Sequence, residues 1–130
     1  MNTEADSVEL KLPFKAEYVS IARLAVSGIA NRIGFDIDAI EDIKVAVAEV
    51  CNKLVSMGSK NALGYIIQFK ILDSRIDIFF DSEDKSLKCI FDDKNDELGI
   101  SIITALMDEV EFCSDDTFIL SMSKSIEGNY

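Results

Sequence analysis

At 130 residues and 48% hydrophobic content, the chain is sized for one domain with a real core, which excludes global disorder. Twenty-four Asp and Glu against 13 Lys and Arg leave a formal charge of −11, so the molecule repels phosphate backbones and anionic membrane surfaces, which argues against direct nucleic-acid binding. The chain has no histidine, which removes histidine triads, imidazole metal ligands and a phosphoacceptor histidine.

In chain order, Val8, Leu10 and Leu12 alternate with Glu9 and Lys11, the pattern of a half-buried strand closed by Pro13. Tyr18, Ile21, Ala22, Ala25, Ile29 and Ile33 recur at three- and four-residue steps. They predict a helix from about Ala16 to Ile33 with this stripe inward, ended by Gly34, and Arg23 and Arg32 lie off the stripe. A second helix begins near Asp36 or Asp38, either able to cap exposed amides, with Glu41 and Asp42 near the favourable positive end. Its buried stripe is Ile40, Ile43, Val47, Val50, Leu54 and Met57, and Gly58 stops it. Glu49 and Lys53 share a flank of this helix with Ala46.

Ile66, Phe69 and Ile71, then Ile76, Ile78 and Phe80, predict a hairpin turned by Asp73 and Ser74. Between Asp81 and Glu97, dense charge predicts exposed loops around an apolar island from Leu87 to Phe91. A third helix spans roughly Leu98 to Met107. A last hairpin joins Val110–Cys113 to Phe118–Met122 around Ser114, Asp115, Asp116 and Thr117, and the tail from Ser125 is read as frayed. Cys51, Cys89 and Cys113 sit in apolar runs without metal-ligand spacing, and read as reduced, buried thiols of a cytoplasmic protein. The first twelve residues carry Glu4, Asp6 and Glu9 and lack the basic start and apolar stretch of a secretion signal; no segment is long enough to span a membrane.

Strand, two helices, two strands, an acidic loop, a helix and two strands give an α+β class. The expected form is a two-layer α/β sandwich, a mostly antiparallel sheet covered on one face by three helices, with residues 1–130 as a single domain.

The run Glu17-Tyr18-Val19-Ser20-Ile21-Ala22-Arg23-Leu24, then Ser27-Gly28, then Ile40 through Cys51, closely resembles the bacterial anti-sigma factor serine kinases of the general stress and sporulation systems. Leu98-Gly99-Ile100 and Thr104 through Val110 look like the same family, so the likeness covers nearly the whole chain. The resemblance implies the GHKL ATPase superfamily, a Bergerat-type nucleotide site and use of Mg-ATP or Mg-ADP. The family motif E-x-x-x-N supplies a glutamate base and an asparagine ligand for Mg²⁺. Glu49 matches the glutamate, and Lys53 stands where the asparagine belongs. A protonated lysine has no lone pair for a hard cation. Asn52 is one residue early, a turn of about 100° around the helix. The bland alternative is an ion pair from Glu49 to Lys53 at i+4, worth about 0.3–0.5 kcal/mol.

In the family motif D-x-G-x-G the aspartate receives the adenine amino group. Asp81 matches it, while Glu83 and Lys85 replace both glycines. Of the family's glycine-rich lid leading into a phosphate-binding helix, only Gly99 is retained, after a short acidic segment with Asp92, Asp93, Asp96 and Glu97. Asp81 could equally be a turn residue and Gly99 a plain helix-start glycine. The implied function is an anti-sigma-like regulator that binds a sigma factor, an anti-anti-sigma protein or both, with nucleotide binding weakened or lost and no metal ligand set. Arg23 matches the family's partner-binding arginine, against the alternative of a solvated helix residue, and the family implies a homodimer. Two other readings stand beside it: an active ATP-dependent serine kinase with Glu49 as base and Lys53 neutralising phosphate, and a degenerate scaffold subunit.

Overall fold

A computed structural model describes residues 5–113 and 117–126. Strand β1 (Asp6–Pro13) leads through a 3₁₀ turn (Ala16–Tyr18) into helices α1 (Val19–Ile33) and α2 (Ile37–Met57). The hairpin β2 (Gly64–Ile71) and β3 (Arg75–Ser82) follows, then α3 (Glu97–Leu106), β4 (Glu109–Glu111) and β5 (Leu120–Ser125). The sheet runs β1-β2-β3-β5-β4, and all four pairings are antiparallel. The expected turn at Ser114, Asp115 and Asp116 and the tail beyond Ile126 lie outside the described residues, whereas Ser125, read as the start of a frayed tail, is the last residue of β5 and pairs with Arg75.

Strand alternation sorts the two faces of the sheet. Tyr65, Ile67, Phe69, Ile76, Ile78, Phe80, Leu120 and Met122 turn to the helices and are buried in one core with residues of α1 and α2. The other face carries Phe79 and Phe118, with ring centroids 4.5 Å apart, and Lys70 over the Phe79 ring.

Helix α1 is rotated from its expected stripe. Its buried residues are Val19, Ala22, Val26 and Ala30, and Ile21 is 41% exposed. Small side chains decide this, because Ala22 and Ala30 let α1 lie close on α2, leaving the bulkier Ile29 and Ile33 on the flank. Gly34 ends the helix at φ 112°, a left-handed conformation that strains any residue with a side chain. Helix α2 begins at the cap Asp36, whose Oδ1 accepts from the Ala39 amide at 2.8 Å. It buries Ile43, Ala46, Val47, Val50, Cys51 and Leu54; Met57, expected inward, is exposed where the helix outruns the core.

The apolar island packs as expected at Leu87 and Ile90, which are buried between exposed neighbours. The cysteine expectation does not hold: Cys89 and Cys113 are exposed and form a disulfide, and only Cys51 is free and buried. Spacing concealed the pair, because the bond joins the β3–α3 segment to the end of β4, partners that only the returning chain brings together. Among the described residues no helix is long and apolar enough to cross a membrane.

Candidate functional site

Helix α2 and the start of α3 carry the candidate site residues. Glu49 and Lys53 sit one turn apart on the half-buried flank of α2, where the 3.6-residue period aligns residues four apart. Lys53 does not pair with Glu49 as the local reading expects. Its ammonium lies 3.0 Å from each carboxylate oxygen of Asp96, the residue preceding α3. Asp96 also accepts from the Asp92 amide at 2.7 Å, while its own amide donates to the Asp92 carbonyl. That amide and then Lys53 hold its carboxyl below the usual carboxylate range. Signals for this pairing were absent from any local pattern, since the two residues lie 43 positions apart.

Gly99, in the first turn of α3, meets this same flank. A Cβ built there would lie 3.3 Å from the Phe91 ring and 3.5 Å from a Glu49 carboxylate oxygen. The structure therefore gathers Glu49, Lys53, Asp96 and Gly99 in one place, with the Phe91 ring against Gly99. Arg23 is elsewhere, exposed on α1, where Ser20, Arg23, Leu24 and Lys44 line a shallow surface depression.

Asp81 is not part of the gathering, for a reason of register. It stands opposite Ile66, which stands opposite Lys11, and all three point to the face away from the helices. Its carboxylate receives the Ser82 amide and, at 3.3 Å, the Lys85 ammonium. Ser82, in line with Tyr65 and Leu12, is the residue that faces the helices. It is buried, and its hydroxyl donates to the Gly64 carbonyl at 3.0 Å.

Glu83 and Lys85 likewise point outward, Glu83 lying 3.9 Å from Lys11. Asp84 is the inward residue, buried against the turn after α2 and receiving the hydroxyls of Ser59 and Ser86 and the Ser86 amide. The Ser59 hydrogen bond, followed by those from Ser86, pushes its carboxyl down to about 2. Among the described residues no cluster of three or more His, Cys, Asp or Glu is arranged to hold a metal ion.

The profile of the histidine kinase-like ATPase domain matches residues 12–124. The chain belongs to this histidine kinase-like ATPase family. It is similar to the serine-protein kinase RsbW of Halalkalibacterium halodurans, at 34% identity over 95% of this chain and 86% of that protein. It is also similar to the serine-protein kinases RsbW of Bacillus cereus and of Bacillus thuringiensis, at 35% and 33% identity over 94% of this chain and 86% of each relative. The resemblance to the anti-sigma serine kinases and the expected sandwich, three helices on an antiparallel sheet, both hold for this member of the ATPase family.

Proposed function

We propose that this protein is an anti-sigma-type regulator that works by binding a sigma factor, an anti-anti-sigma protein or both, with nucleotide binding weakened or lost. The Lys53–Asp96 ion pair carries this reading. A hard divalent cation takes oxygen ligands, and Lys53 offers none in the position matching the family's metal-ligating asparagine. The positive end of α3 would draw a phosphate, yet the carboxylate of Asp96 already stands beside it with its charge met by Lys53. To enter, a Mg-triphosphate would have to break the pair and turn a carboxylate away. The residues present therefore do not fit the magnesium-bound nucleotide.

Sequestering a partner needs a complementary surface and no chemistry. Arg23 is exposed on α1 beside the 73% exposed Leu24, a cation next to an apolar contact, and we assign it to partner binding. A homodimer built from one-domain protomers, acting in the cytoplasm, belongs to the same proposal.

One observation favours the kinase reading: Glu49 keeps a half-buried place against the first turn of α3, where a base would stand. Calorimetric titration with Mg-ATP and Mg-ADP to millimolar concentration separates the two. Absence of heat, together with capture of a purified sigma factor or anti-anti-sigma domain that Arg23→Glu weakens at least tenfold, is the expected result. Saturable nucleotide binding with phosphoryl transfer to a serine of an anti-anti-sigma protein, abolished in Glu49→Ala, would establish the kinase instead.

A further inference from the structure

Cys89 and Cys113 are both exposed, their Cα atoms are 4.5 Å apart, and the bond between them spans a sequence separation of 24 residues. The span they close contains Asp96 and all of α3. Cys89 takes a left-handed backbone at φ 47°, uncommon for a residue with a side chain. Held between the buried Leu87 and Ile90, this turn presents Cys89 outward to Cys113 while its neighbours anchor in the core.

We propose that Cys89 and Cys113 form a reversible thiol–disulfide site that fastens the 83–96 segment to the end of β4, with low-molecular-weight thiols and their disulfides as its reactants. A thiolate attacks one sulfur of the protein disulfide and forms a mixed disulfide, and the departing cysteine thiolate takes a proton. A second thiolate attacks the small-molecule sulfur of that mixed disulfide and releases the other protein cysteine. Two thiols are thereby oxidised to one disulfide as the protein disulfide is reduced to two thiols, a balanced two-electron exchange that runs equally in reverse.

Cys51 takes no part. It is fully buried, and burial pushes its thiol up to about 12, which keeps it protonated and out of contact with reagents. The reduced segment retains the anchors at Leu87 and Ile90 and the Lys53–Asp96 pair, so reduction loosens it without unfolding the protein. The site is independent of whether nucleotide binds, because its chemistry lies in the two sulfurs and its effect in the segment they close.

The test uses the whole chain equilibrated with glutathione and glutathione disulfide at graded ratios, trapped with iodoacetamide and read by peptide mass spectrometry. Cys89 and Cys113 are expected to become alkylated together as one two-electron transition, with Cys51 labelled only after denaturation. Amide exchange in peptides covering 85–96 is expected to quicken at least tenfold on reduction, and the Tm to fall by on the order of 10 °C. Cys113→Ser should behave as reduced wild type and ignore the couple. Failure to form the bond even in pure glutathione disulfide, independent labelling of the two cysteines, or equal amide exchange in both forms would overturn the proposal. These readouts on wild type stand even if the variant fails to fold.

Discussion

Lys53 on α2 and Asp96 at the start of α3 are joined by an ion pair whose ammonium is 3.0 Å from both carboxylate oxygens, with both side chains mostly shielded from solvent. It ties the two helices across the flank that Glu49 shares. Truncating either member removes the pair, and Asp96→Ala also leaves the Asp92 amide without its acceptor. A double-mutant cycle with Lys53→Ala and Asp96→Ala, read by urea unfolding, is expected to show that the two losses are not additive, the double variant losing less than the sum of the single ones. Asp96→Ala should be the costlier single change. Strictly additive losses would mean that the pair does not hold the helices together.

Restoring one residue does not restore a pocket. Lys53→Asn returns the family's ligand type to α2, but it leaves Asp96 beside α3 with its charge unmet, Asp84 turned inward and Asp81 on the far face of the sheet. Calorimetry on Lys53→Asn is therefore expected to show no Mg-ADP binding at millimolar concentration. Micromolar affinity in this variant would show that a single side chain had closed an otherwise intact site.

Asp84 links the loop after β3 to the turn after α2 through Ser59, and its other carboxylate oxygen receives Ser86 within its own loop. Its carboxyl is depressed from 3.8 to about 2 by those hydrogen bonds, so the unfolded chain binds this proton more readily than the native one. The stabilisation is complete above the unfolded value and is lost as pH falls through the folded value. Unfolding curves from pH 5 to pH 2 should steepen in loss below about pH 4. Asp84→Asn should be less stable at pH 7 and flatter in that window. Parallel pH profiles for the two proteins would remove Asp84 as a source of acid sensitivity.

The chain announced its architecture through period and punctuation. Gly34, Asp36 and Gly58 mark helix ends by local backbone chemistry, and the alternation of Ile76, Ile78 and Phe80 marks a buried strand face. Only the motifs of the family resemblance point to Glu49, Lys53 and Gly99 together; the helical period by itself puts no more than Glu49 and Lys53 on one flank. What escaped depends on contacts across the fold. The α1 stripe turned because Ala22 and Ala30 permit close helix packing, a property of the neighbour as much as of the helix. Lys53 found Asp96 and Cys89 found Cys113 only through chain return. Asp81 could have been placed by counting: with Phe80 inward, the next residue must point outward, and Ser82 inward again.

Two glycines separate backbone clash from backbone freedom. Gly64 opens β2 against β1 so closely that a Cβ would lie 2.2 Å from the Leu12 carbonyl oxygen, a fixed backbone atom that cannot swing aside. Gly64→Ala must spread the strands where Leu12 and Tyr65 enter the core, and is expected to cost at least about 2 kcal/mol. Gly28 lies exposed in the interior of α1 with nothing within 4 Å of a built Cβ. Gly28→Ala should stabilise by about 0.5–1 kcal/mol, because alanine loses less backbone freedom on entering a helix. Chemical denaturation of both variants supplies the check, and opposite signs are required. Were Gly64→Ala as stable as the parent, the close β1–β2 approach at Leu12 would be incorrect.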